Sequence, residues 1–182
     1  DLCADMEQLA LSVVIGAVFG AAYDDRDGRL AAAITARRAF LEFRQASLWP
    51  WPESLPVPVV ARYRRAMQVI DGAIARGPVG PGLASRYRAL RDPGGAAMPG
   101  SLWRDEVLTL LSTGYETIGD ALTWTLSLLA RHPDIEERVV READRGDGPV
   151  FARMVLDESL RLYPPTWIIV RMASGADRLP KI

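Results

Sequence analysis

Two adjacent prolines, Pro164 and Pro165, stop the run Val155-Leu156-Asp157-Glu158-Ser159-Leu160-Arg161-Leu162-Tyr163. The run reads as an amphipathic helix ended there, because proline has no backbone N–H and pushes the residue before it out of helical geometry. Glu158 and Arg161 lie three apart, so their side chains emerge as neighbours on one helical face. Leu156, Leu160 and Tyr163 mark an apolar stripe beside them, which places the pair near the core. A carboxylate and a guanidinium in that setting must hold each other, since either one unpaired in a dry interior is costly. Arginine's planar fork grips a carboxylate and still offers donors to something else. A solvated i,i+3 pair, worth roughly a few tenths of a kcal/mol, has the same spacing, so spacing alone leaves both readings open.

The same punctuation divides the rest of the chain into helices. Asp1 to Tyr23 carries apolar residues at helical spacing and is followed by the loop "YDDRDG". Arg29 to Ala46 reads as a helix burying Leu30, Ile34, Phe40 and Leu41. "SLWPWPESLPVPV" holds four of the chain's 13 prolines and must be an irregular connector. Its Trp49 and Trp51 suit packing of that stiff loop, with an entrance lip as the less favoured alternative. Pro58 to Arg76 and Leu83 to Leu90 are further helices, separated by "RGPVGPG" and followed by "RDPGGAAMPGS". Ser101 is then expected to cap a helix running through Arg131. On it, Gly114 lets a flat or diatomic ligand approach the backbone closely, and the Thr117 hydroxyl can bond back to the Thr113 carbonyl and loosen the ladder.

Composition narrows the function. Of 182 residues 49% are hydrophobic and 25% charged, enough for a real core in one domain. A net charge of -1 gives no footprint for nucleic acid. The apolar stretch Leu9 to Ala22 is shorter than the roughly 18 to 20 residues of a membrane span and is interrupted by Ser12, Gly16 and Gly20. With no basic-then-apolar leader at Asp1, a cytoplasmic protein without a membrane span is expected. His132, the only histidine, lies before Pro133 at a helix boundary, which suits a surface or capping role. Arg37-Arg38 and Arg62-Arg64-Arg65 read as solvated faces, with an acidic redox partner as the alternative. Metal-ligand clusters, a phosphate-cradling glycine loop and a Ser/His/Asp arrangement are not evident.

Three ordered stretches carry a family resemblance. "LLSTGYETIGDALTW", from Leu110 to Trp124, resembles the central helix of the cytochrome P-450 family of haem-thiolate monooxygenases, with its Gly-x-Glu-Thr oxygen-activation motif. "LARHPDIEERVVREAD" resembles the proline-started helix that follows it, and "DESLRLYPP" the family's Glu-x-x-Arg helix. "LALSVVIGAVFG" is more weakly similar to a helix near the start of the family's helical half. The resemblance implies a mainly α fold, the helical part of the P-450 fold with little or no sheet. It implies one helical domain over residues 1–182, the middle of a longer bacterial-type monooxygenase.

It also implies roles. Glu116 would be the acid and Thr117 the alcohol that deliver protons during oxygen activation. Thr113, Gly114 and Arg171 would contact the cofactor, haem b, with Arg171 on a propionate. Glu158 and Arg161 would be the structural pair. Leu110, Pro165, Trp167, Ile168 and Ile169 would line the pocket for a small apolar substrate, fatty-acid- or terpenoid-like. Oxygen and a ferredoxin- or flavoprotein-type redox partner complete the expectation.

Two features depart from the family pattern. Cys3, the only cysteine, lacks the phenylalanine and glycine setting of the family's ligand loop and reads as a packing cysteine, not an iron ligand. The connector "RGDGP" between the last two helices is compressed. A haem-less structural or helper relative, or an inactive shortened form, is therefore the alternative function.

Overall fold

Eight α-helices follow one another in the computed structural model, whose described residues are 1–25, 27–47, 57–146, 148–169, 171 and 175. Among these residues there is no strand, only an isolated antiparallel bridge between Arg91 and Ala97. The mainly α expectation therefore holds. Trp49 and Trp51 lie outside the described residues. The chain forms two compact units, Asp1–Thr123 and Trp124–Ile182.

The first unit is built around α1 (Leu2–Phe19), which ends four residues before the expected Tyr23 because Gly20 turns the chain at φ 103°. Asp1 caps its start, Oδ1 accepting from the Cys3 N–H at 3.1 Å. By length and composition α1 is apolar enough to cross a membrane, a stretch longer than the Leu9–Ala22 count suggested. Its buried face, including Leu11, Ile15, Val18 and Phe19, packs in the core with residues of α4 (Leu83–Ala89) and α5 (Gly100–Thr113). Burial of one such side chain is worth about 1.5–3 kcal/mol, so this face accounts for the helix as a core element. Gly82 permits the close approach of the α4 entry to the end of α1. A Cβ there would lie 2.7 Å from the Val18 carbonyl oxygen and 2.8 Å from the Gly20 nitrogen.

The helices α2 (Arg29–Ala46) and α3 (Pro58–Arg76) pack on each other, with bounds matching the sequence reading. Phe40 stacks on Tyr63 with centroids 4.1 Å apart. The "YDDRDG" loop does more than connect: Asp25 accepts from the Leu30 N–H at 2.9 Å and the Ala31 N–H at 3.0 Å, capping α2 from outside. Trp103 anchors α5 to α4 by donating from Nε1 to the Ala84 carbonyl at 3.0 Å. Arg104 ties α5 to α3 through Asp71 at 2.7 Å.

The expected cap at Ser101 is not formed. Pro99 occupies the N-cap and the helix begins at Gly100, leaving Ser101 inside the first turn. Nor is the long helix continuous to Arg131. It breaks after Thr113 and resumes as α6 (Glu116–Leu129).

In the second unit, α7 (Pro133–Arg145) and α8 (Val150–Leu162) pack together. The compressed connector turns at Gly146, φ 70°, and Gly148, φ 91°. Glu142 of α7 caps α8, accepting from the Phe151 N–H at 2.6 Å and the Ala152 N–H at 2.9 Å. These two bonds hold its carboxyl below the usual value of 4.5. His132 stands at the N-cap of α7, exposed and without a side-chain cap bond. Trp124 stacks on Tyr163 with ring centroids 4.1 Å apart and the two planes nearly parallel, 5° from one another.

Candidate functional site

The break in the long helix falls on the Gly-x-Glu-Thr stretch, with Gly114 and Tyr115 forming a turn between α5 and α6. Hydroxyls crowd the backbone on the way into it. Thr109 donates to the Asp105 carbonyl at 2.8 Å, Ser112 to Leu108 at 2.6 Å, and Thr113 to Thr109 at 2.9 Å. Thr117 donates to the Thr113 carbonyl at 3.5 Å, the back-bond expected from the sequence, though long. Such bonds compete with the helical ladder and bend it. Gly114 has a packing reason too. A Cβ there would lie 2.8 Å from the Leu110 carbonyl oxygen and 3.3 Å from a Val14 methyl, so the group that approaches closely is α1.

Glu116, half-exposed at the start of α6, faces Arg38 of α2 at 3.4 Å. Arg38 is also held by Glu7 of α1 at 2.8 Å and by Glu42 at 2.7 Å. Its guanidinium is pushed further toward the charged form, chiefly by the Glu7 hydrogen bond, with burial opposing. The Tyr115 ring is buried, 2% exposed, and its hydroxyl makes no hydrogen bond. Burial pushes this phenol up to about 12; the Glu116 charge adds to the rise and Arg38 opposes it, although neither is in hydrogen-bonding geometry. A cleft of about 400 Å³ opens beside these groups, lined by Ile34, Arg37 and Leu41 of α2 and by Ser112, Thr113 and Tyr115.

Of the residues expected at the site, Thr113, Gly114, Glu116 and Thr117 are gathered at the break in the first unit, where Thr113 and Thr117 are exposed. Leu110 is half-buried against that unit's core. The others lie in the second unit. There Arg161 grips Glu158 bidentately, Nε to Oε2 and Nη2 to Oε1, both at 2.7 Å. The Arg161 bond holds the Glu158 carboxyl below its usual range. The pair is exposed in this chain, at 66% and 55%, which corrects its expected place near the core. The reason is that α8 buries only Ser159; Leu156 and Leu160 are half-buried and Tyr163 is exposed. Pro165 is half-buried, while Trp167, Ile168, Ile169 and Arg171 are exposed.

Sequence reasoning took Arg38 for part of a solvated face, whereas three carboxylates hold it half-buried, and it gave Tyr115 no role. The i,i+4 spacing of Arg38 and Glu42 was a usable signal, but the bond to Glu7 across 31 positions was not. It also missed a juxtaposition of Cys3, Glu7 and Asp120, whose ligand atoms lie within 4.8 Å of one another. Cys3 is half-buried and does not line the cleft beside Tyr115, so no residue lining that cleft fits the axial thiolate of a haem-thiolate centre.

Residues 97–180 match the family model described as Cytochrome P450. Pentalenene oxygenase of Streptomyces avermitilis is 32% identical over 169 residues, covering 76% of this chain and 36% of its own length. Cyclooctat-9-en-7-ol 5-monooxygenase of Streptomyces melanosporofaciens is 33% identical over 147 residues, covering 70% of this chain and 32% of its own. The chain thus spans about a third of the length of these curated relatives. The fold is shared with the solved structure of the cytochrome P450DA heme domain, at a TM-score of 0.69 and 22% identity, over 88% of this chain and 40% of that one. With matching motifs, matching relatives and a shared helical fold, the chain belongs to the cytochrome P450 family.

Proposed function

We propose that the whole protein is a haem-dependent monooxygenase and that this chain supplies its oxygen-side helices. The observation that carries the reading is the helix break at Gly114–Tyr115, which puts Glu116 and Thr117 in the first turn of α6. Haem b, when bound, supplies the electron and oxygen chemistry. Thr113, Gly114 and Arg171 are the contacts assigned to it. The chain's own task is proton handling. The Thr117 hydroxyl can donate and accept at once, and its long bond to Thr113 is easily given up. Glu116 is the acid that resupplies it, restrained by Arg38 at 3.4 Å until a proton replaces the ion pair.

The substrate is small and apolar. The names of the relatives, which specify pentalenene and cyclooctat-9-en-7-ol, favour a terpenoid-like molecule over a fatty acid. Its pocket is assigned to Leu110, Pro165, Trp167, Ile168 and Ile169. Electrons come from a ferredoxin- or flavoprotein-type partner, and the compartment is the cytoplasm. Replacing Thr117 by alanine in the haem-loaded full-length protein tests the assignment. Haem binding should persist while product per electron falls about tenfold or more and peroxide is released instead. Unchanged coupling would overturn the role given to Thr117.

A further inference from the structure

Three carboxylates meet at Arg38, and its hydrogens are divided among them unequally. A guanidinium holds its N–H donors in a fixed planar fork, and Nε carries only one hydrogen. Nη1 donates to Glu7 Oε1 at 2.8 Å, which anchors the fork from α1. Nε donates to Glu42 Oε1 at 2.7 Å, one turn further along α2. Glu116 Oε1 lies 3.4 Å from that same Nε, an ion-pair contact without a hydrogen bond. Glu42 and Glu116 therefore face a single hydrogen, and Glu42 holds it.

Stability gives Glu42 little to do. Its side chain is 59% exposed, and an exposed i,i+4 pair adds only roughly 0.3–0.5 kcal/mol. The order here, with the cation on the N-terminal side, is also the weaker of the two on a helix. What Glu42 changes is the state of Glu116. A hydrogen bond from a guanidinium is short and directional, and it favours the charged form of the carboxylate that accepts it. In that bond Glu116 would be fixed as an anion with its oxygens turned to α2. Spared it, the Glu116 carboxylate is free to rotate, take up a proton and pass it on. Glu7, holding Nη1, keeps the fork from swinging across to Glu116.

We propose that Glu42 is a positioning residue that occupies the one hydrogen of Arg38 Nε and so leaves the Glu116 carboxylate free for proton transfer. The consequence for oxygen activation rests on the monooxygenase reading above; the competition for the hydrogen does not.

Two measurements test it. The first follows exchange of the Arg38 Nε–H with water by NMR in the labelled 182-residue chain. In Glu42→Ala the rate should stay within about twofold of the unaltered chain, because Glu116 takes over the hydrogen, and Glu116→Ala should change it as little. The double variant should exchange about tenfold faster or more, having lost both acceptors. Exchange as fast in Glu42→Ala as in the double variant would overturn the proposal. The second uses the haem-loaded full-length protein. Glu42→Ala should release about threefold more peroxide per electron, because the clamped acid supplies protons more slowly. Glu42→Gln, whose amide oxygen still accepts from Nε, should stay within about twofold of the unaltered protein, a rescue that loss of a surface charge alone would not give. Coupling unchanged in Glu42→Ala while Thr117→Ala uncouples would overturn the positioning role and leave the monooxygenase reading standing. A full-length protein without a haem-thiolate band would overturn that reading, and with it the role in proton transfer, while the exchange pattern alone would still decide the competition between Glu42 and Glu116.

Discussion

The Arg38 guanidinium stands 3.4 Å from the Glu116 carboxylate, while its shorter bonds, 2.8 Å to Glu7 and 2.7 Å to Glu42, go to residues outside the Gly-x-Glu-Thr stretch. One cation therefore serves three anions, and the motif carboxylate is the most loosely held. Arg38→Met is expected to destabilise the first unit by about 1–3 kcal/mol. That is below the usual cost of breaking a fully buried pair because these side chains are partly solvated. Adding Glu7→Gln should recover part of the loss by removing a like charge. Urea unfolding of the two variants checks both statements, and a double variant no better than Arg38→Met would contradict them.

Gly114 and Gly100 sit at opposite ends of α5 and should respond oppositely to alanine. At Gly114 the new Cβ meets the Leu110 carbonyl at 2.8 Å and Val14 at 3.3 Å, whereas at Gly100 nothing lies within 4 Å. Gly114→Ala is expected to cost about 1–3 kcal/mol through overpacking. Gly100→Ala should be neutral or stabilising by up to about 1 kcal/mol. Paired thermal melts decide, and equal midpoints would count against the packing described at Val14.

The Glu142 cap on α8 predicts a pH dependence. Its carboxyl is held below 4.5 in the folded chain, so its contribution is present above the unfolded value and lost as pH falls through the lower folded value. Amide protection at Phe151 and Ala152 should fall in Glu142→Gln at neutral pH. It should fall in the unaltered chain only in acid below 4.5. Equal protection in the two proteins at neutral pH would contradict the cap.

Tyr115 titrates in the other direction. The folded chain keeps this phenol protonated to about 12 against the usual 10, so stability drains as pH rises between those values. The two-unit difference corresponds to about 2–3 kcal/mol. Tyr115→Phe should be close to neutral at pH 7 and should lose less stability than the unaltered chain in alkali. Parallel losses in the two proteins would show that the hydroxyl is not buried as described.

Much of the helical frame was legible in the sequence because proline and glycine write its boundaries. Gly28 precedes α2 and Pro58 opens α3 at the positions expected. The errors have two causes, a neighbouring residue in one place and the absence of a packing partner in the other. Ser101 is a good capping residue, but Pro99 already ends the preceding strand of chain in extended geometry, ψ 143°, and starts the helix earlier. The apolar stripe beside Glu158 has the right period for burial, yet a period does not name a partner, and within this unit that face is largely uncovered. The Thr117 back-bond could be read because it spans four residues, whereas the Arg38 hub joins three helices. Arg37 and Arg38 look alike in sequence; only the fold separates a neutralised arginine from one with donors to spare.

The proposal that the whole protein is a haem-dependent monooxygenase meets its most direct test in the absorption spectrum of the reduced, carbon-monoxide-treated full-length protein. A haem-thiolate centre gives a strongly red-shifted Soret band, which the account predicts. A preparation that is folded and supplied with haem but shows no such band would contradict it.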